Sequence, residues 1–266
     1  MSRLEPRTLY LNAERVGVRH EGAALRLHRP GKAAESIPLA RISRAVVRGS
    51  AGEDLLQACL ALVHAGAVVH FQDGNGQPTA CLQPAQEPQS RPVQELTSLI
   101  EAHAGLGPYH WWRDAQRRHA WSLVFRRGPR GDFQGGCQRL EGYLRRLSPM
   151  HWIPHEIVAL EGGLRSWLQA ELHRSGWRPA CRILAAQGED LEGELRRFLY
   201  LPLLWRFVRW RRQQPLELTE RRRTEFLELQ LARPLPAQLH RHLRALTEEY
   251  YISWQRRRQE EEPDYE

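Results

Sequence analysis

Lysine is almost missing from this chain: Lys32 stands alone among 39 lysines and arginines. The positive charge is therefore carried by arginine, whose planar guanidinium contacts phosphate in a bidentate way and stacks on bases. Cysteine is scarce as well. Cys59, Cys81, Cys137 and Cys181 lie far apart with no CxxC pair, which argues against a zinc cluster or a disulfide framework and fits a reducing cytoplasm. Long apolar runs are missing too. The longest, Phe198 to Trp205 (FLYLPLLW), falls short of the roughly 20 residues a spanning helix requires and is followed by Arg206 and Arg209. The opening MSRLEPRTLYLN turns polar too soon for an export signal, so the expectation is a soluble, cytoplasmic protein with no membrane partner. There is no P-loop, GxSxG elbow, HExxH pair or repeat of about 20 to 50 residues, so the common nucleotide-hydrolysis and zinc-protease readings lack their signatures.

What the chain does have is length and charge. Its 266 residues, 41% of them hydrophobic, suffice for two domains with real cores, and the formal net charge of +8 favours a polyanionic partner. Nine tryptophans are many for this length. Trp111, Trp112, Trp121, Trp177, Trp205, Trp210 and Trp254 stand among arginines, and each reads first as core or helix-to-helix packing.

Short strands fill the first third. Thr8–Asn12, Val16–His20 and Leu25–His28 are separated by Glu21-Gly22 and Arg29-Pro30-Gly31, and Ser36–Gly49 continues them, which predicts a meander. Glu53–Ala65 then places Leu55, Leu56, Cys59, Leu62 and Val63 on one helical face that stops at Gly66. Ala67–Gln72, the turn Asp73-Gly74-Asn75-Gly76 and Thr79–Leu82 close the unit. The proline- and glutamine-rich stretch that follows reads as a linker, and the remainder is helical and arginine-rich. Breaks are expected at Gly105–Pro108, Gly128–Gly136, Pro149–Pro154, Gly176–Pro179 and Pro234–Pro236. The fold class is α+β: a β-rich domain at 1–83, a linker at 84–92 and an all-α domain at 93–266.

One stretch of the helical part is out of character. In IVALEGGLRSWLQAEL, Ile157, Leu160, Leu164 and Leu168 form a buried helical stripe, and Glu161 falls inside it. A carboxylate there either lies at the rim with an arginine partner or meets some other cation. Gly162 and Gly163 each cost roughly 1 kcal/mol in a helix interior relative to alanine, which points to a close backbone approach or a bend. Further on, Asp190 precedes the stripe Leu191, Leu195, Phe198 and Leu199 and reads as a helix N-cap.

Four segments resemble the CRISPR-associated adaptation integrases, the metal-dependent endonuclease-like subunits that insert spacers during antiviral defence. They are the whole β-rich unit from TLYLN to HAGAVVHFQDGNGQPTACL, then ALEGGLRSWL, then SGWRPACRILAAQGEDLEGELRRFL, and last LELTERRRTEFL. The resemblance implies that Glu161 is a metal ligand, with Mg²⁺ or Mn²⁺ as cofactor if the protein is active. It also implies a partner of duplex or branched DNA, pairing through the β-rich domains, and contact with the small adaptation partner protein.

Strand transfer needs a divalent ion, held by several converging ligands, to stabilise the attacking, leaving and non-bridging oxygens. The chain departs from the family at those ligands. Ala185 stands where the histidine is expected, and Gly193 stands at the second acidic position, although Asp190 is kept. Glu194 or Glu192 substitutes only if the helix shifts, and His151, His155 and His173 read as surface or helix-end residues. The expectation is a DNA-binding or scaffolding member with a degraded metal site, working as a homodimer or beside an active paralogue. Its metal-site remnants would be Glu161, Asp190 and Glu194, and its DNA contacts Arg126, Arg127, Arg130, Arg165, Arg178 and Arg182. Two other readings stay open: an active integrase that recruits His173 or Glu194, and a scaffold for an acidic protein or RNA.

Overall fold

The computed structural model describes residues 7–50, 52–74, 76–85, 91–102, 106–125, 133–147, 153–214 and 220–261. Strands β1 (Arg7–Asn12), β2 (Gly17–Glu21), β3 (Ala24–His28), β4 (Glu35–Pro38) and β5 (Ile42–Arg48) come first. Helix α1 (Glu53–His64) and strands β6 (Val68–Gln72) and β7 (Pro78–Leu82) follow. The rest is helical: α2 (Arg91–Ala102), α3 (Gly107–Ser122), α4 (Phe133–Leu147), α5 (Ile153–Arg174), α6 (Arg178–Ala186), α7 (Leu191–Arg211), α8 (Glu220–Ala232) and α9 (Pro234–Glu261). The α+β class expected from the sequence is therefore the one found.

The strands do not form one meander. Only β2, β3 and β4 pair in that way, as a three-stranded antiparallel sheet. A second sheet has the order β1-β5-β6-β7, with β1, β5 and β6 parallel and β7 antiparallel at the edge. The reason lies in β5. Arg44, Ala45, Val46 and Val47 are all buried, as suits a parallel central strand covered on both faces. Val47 lies in register with Leu11 on one side and Phe71 on the other. A short 3-10 turn at Leu39–Arg41 divides the stretch Ser36–Gly49, read from the sequence as continuing the meander, into β4 and β5.

Helix α1 covers this unit with Leu55, Ala58, Cys59 and Leu62, which join Leu9, Leu25, Leu27 and Val69 in one core. Leu56, expected on the same face, is 46% exposed instead, because its position is turned one step out of the stripe. Gly66 has φ +92° just past the helix end, the conformation its predicted role requires.

The chain divides into two compact units. The first comprises 1–87 together with 161–174, and the second 88–160 together with 175–266. In the first, the middle of α5 lies against the β6–β7 turn. A Cβ on Gly162 would collide with the carbonyl oxygen of Gly76, so the predicted close backbone approach is real. Arg44, itself buried, donates to the carbonyl oxygen of Gly163 at 3.4 Å and to the Tyr10 hydroxyl at 3.2 Å.

In the second unit, α3 packs against α9 and α7, with α4 beside α7 and α2 between α6 and α9. Trp112 is fully buried there and donates its indole N–H to the carbonyl of His242 at 2.8 Å. The apolar run expected to be too short for a membrane lies within α7, where Leu199, Leu201, Leu203 and Leu204 are fully buried. No helix among the described residues is long and apolar enough to cross a membrane. The glycine-rich break was drawn too far: α4 already begins at Phe133, so Gly135 and Gly136 are helical. A Cβ on Gly136 would lie 2.6 Å from the Trp121 ring, so packing explains that glycine.

Candidate metal centre and nucleic-acid interface

The stripe that flagged Glu161 is buried as expected: Ile157, Leu160, Leu164 and Leu168 are 9%, 4%, 0% and 0% exposed. Glu161 itself is half-buried, at the rim. No arginine meets it among the described residues, so the expected ion pair is not found. In its own unit the other candidate ligand is His173, which is helix-terminal as expected but buried rather than on the surface. Twelve residues of α-helix separate the two by about 18 Å, so they cannot share an ion. His151 lies outside the described residues, and the side chain of His155 is not described.

The second unit holds the acidic helix start. Asp190 is the N-cap of α7, its Oδ1 accepting from the backbone N–H of Gly193 at 2.8 Å. A Cβ at Gly193, the expected second acidic position, would meet the Asp190 carboxylate, so a side chain there requires the cap to shift. Glu194, one turn on, is buried. Its Oε1 accepts from Arg197 at 2.8 Å and lies 3.6 Å from Arg117, while Oε2 is buried without a hydrogen bond. Glu192 pairs with Arg178 at 2.9 Å, and Glu189 accepts from His110 and Arg113 at 2.8 and 3.2 Å. Burial raises the pKa of the nearby Tyr109 hydroxyl, and the negative charge of Glu189 and Glu194 raises it further.

The acidic side chains at the start of α7 are already engaged. Asp190 is engaged in capping, Glu192 and Glu194 are neutralised by guanidinium groups, and Ala185 is an exposed residue with no donor atom. One orphaned oxygen on Glu194 is not a ligand set, because Mg²⁺ requires near-octahedral oxygen ligation. No group of three or more His, Cys, Asp or Glu placed to hold an ion occurs among the described residues.

Of the expected DNA-contacting arginines, Arg165 on α5 and Arg182 on α6 are exposed. Arg178 is committed to Glu192. Arg126, Arg127 and Arg130 lie outside the described residues. The partners of Glu194 escaped the sequence reading: Arg197 follows it by one helical turn, a spacing that was legible, whereas Arg117 reaches it from α3 and carried no local signal.

No family model and no curated protein matches the chain. Solved structures do. A CAS1 protein from Thermotoga maritima superposes with a TM-score of 0.61 at 12% identity, covering 92% of this chain and 97% of its own. TtCas1 gives 0.59 at 14% identity, over 91% and 97%. The structure of a TtCas1-DNA complex gives 0.55 at 15%, over 90% and 91%. The fold is thus the one these structures share, as the sequence resemblance led us to expect. More narrowly, this chain has the Cas1 fold along nearly its whole length.

Proposed function

We infer that this chain is a Cas1-like DNA-binding protein without a working metal centre, a subunit that holds DNA rather than cutting or joining it. The observation that carries the reading is the state of the α7 start. Its carboxylates are spent on a helix cap and on arginines, and alanine and glycine occupy the two ligand positions the family pattern requires. An excess of arginine, with Arg165 and Arg182 exposed, supports the binding half. Catalysis in the assembly then comes from an active paralogue paired with this chain, and the small adaptation partner protein completes it.

The test is a nicking and strand-transfer assay on branched DNA with Mg²⁺ and with Mn²⁺, run beside Glu161→Ala and beside a binding titration in EDTA. Binding should persist in EDTA with no metal-dependent product from either protein. Robust product that disappears in Glu161→Ala would overturn the non-catalytic reading. Absence of binding to any DNA at low salt would leave a scaffold for an acidic protein or RNA.

A further inference from the structure

The second unit contains a groove that the metal-centre argument does not touch, of about 520 Å³, between the last turns of α7 and one side of α8. That volume falls within the range of small-ligand sites. Arg206, Arg209 and Trp210 line it from α7, and Arg222, Phe226 and Leu229 from α8. The spacings are i, i+3, i+4 and i, i+4, i+7, so each helix turns one mixed basic and apolar face to the groove. Glu225 is the single carboxylate in the lining, against three guanidinium groups.

Trp210 is half-buried and held from behind. Its ring centroid lies 4.8 Å from that of Phe226, tilted by 32°, and 5.6 Å from that of Phe207. A side chain braced by two rings is a rigid platform rather than a mobile one. Arg206 is half-buried beside it, with its Nη1 donating to Gln230 Oε1 at 3.4 Å and no carboxylate partner among the described residues. Burial pushes its pKa down, the sign of a cation short of counter-charge. Arg209 is exposed and unpaired among the described residues, and Leu229 is 64% exposed at the rim.

We propose that the α7–α8 groove binds a single-stranded segment of DNA, with one unpaired base stacked on Trp210 and the flanking phosphates held by Arg206 and Arg209. Aromatic stacking favours an unpaired base because a base within a duplex has no free face. A flat arginine surface would serve a duplex, whereas this one is concave and has an aromatic wall. A peptide occupant of the same place would have to be acidic and would leave the ring without a matching face. The proposal rests on the DNA-binding reading above and names the form of DNA that this surface takes.

The test uses the full chain and fluorescence anisotropy with labelled oligo(dT) and a blunt duplex at fixed salt. Trp210→Leu should weaken oligo(dT) binding about tenfold and leave the duplex within about twofold, while Trp210→Tyr keeps most of the affinity. Arg209→Gln, at an exposed site that leaves packing intact, should lower the salt slope for oligo(dT) by about 0.7. It decides the matter if Trp210→Leu melts early. Unchanged oligo(dT) affinity and slope in these variants would overturn the proposal and leave the groove to a protein. Duplex binding without oligo(dT) binding overturns this inference alone, and no binding to either overturns the DNA reading with it.

Discussion

Gly162 and Gly142 are both helical glycines, and they should respond to alanine in opposite directions. At Gly142 a Cβ meets open space, so Gly142→Ala should gain up to about 1 kcal/mol from helix propensity. At Gly162 the same gain is outweighed, because the Cβ collides with the Gly76 backbone carbonyl, which cannot swing aside as a side chain would. Overpacking of this kind costs about 1–3 kcal/mol, so Gly162→Ala should lower Tm where Gly142→Ala raises it. Thermal unfolding followed by circular dichroism reads both, and a Gly162→Ala protein as stable as Gly142→Ala would remove the close contact from the account. His242 gives a second expectation at this scale. It is 3% exposed, and burial, with help from His119 and Arg241, pushes its imidazole down to about 4. The unfolded residue titrates near 6.5, so between about 4 and 6.5 the unfolded chain binds the extra proton. Stability from this group is thus fully present above about 6.5 and is lost as pH falls toward 4, by about 3 kcal/mol in all. Burial acts on Glu156 in the opposite sense, raising its pKa against the pull of Arg211 and Arg223. Its share of stability falls as pH rises past the ordinary carboxylate range, so the two partly cancel in the wild type. Urea unfolding at pH 7 and pH 5 of wild type and His242→Asn separates them: the variant should lose less stability on acidification, and an identical loss would sink the assignment.

Helix α7 carries the acidic positions that the sequence resemblance singles out, and its first carboxylate is an N-cap. Asp190→Ala should cost about 1 kcal/mol, the usual loss on removing an N-cap. Gly193→Glu places an acid at the expected position, but its side chain enters beside the Asp190 carboxylate, which must shift in the cap to admit it. Calorimetric titration with Mn²⁺ checks the second half: no saturable binding should appear in Gly193→Glu, and a new site would contradict the packing argument. The cap was legible in the sequence because capping is local, an acidic residue before a 3.6-period stripe. So were the strand and helix positions of the first unit, which follow from turn residues and alternation. The parallel pairing of β1, β5 and β6 was not, since it joins segments far apart in the chain, and the short turns between neighbours suggested a meander instead. The start of α4 was misplaced because Gly135 and Gly136 look like a loop until the Trp121 ring is seen against the second of them.

At the scale of the whole molecule, a Cas1 fold persists at 12–15% identity because a fold needs only its apolar pattern and its close backbone contacts, whereas a metal centre needs particular donors. The stripe around Glu161 is intact, and Ala185 and Gly193 stand where the sequence resemblance implies ligands. On the DNA-binding reading the net charge of +8 belongs to the same scale, since binding through phosphates would release counterions in proportion to the arginines that reach the DNA. Not every arginine counts toward it. Arg165 is exposed with no partner among the described residues, so Arg165→Gln should lower the slope of log affinity against log salt for duplex DNA by about 0.9, with Tm unchanged. Arg178 is 19% exposed and bonded to Glu192, itself 24% exposed, at 2.9 Å. Arg178→Gln should therefore leave the slope alone and lower Tm instead, because it removes an ion pair from a partly buried carboxylate. Salt titrations and melting curves of the two variants form a crossed pair, and an equal slope change in both would mean that the Arg178–Glu192 pair opens to meet the DNA.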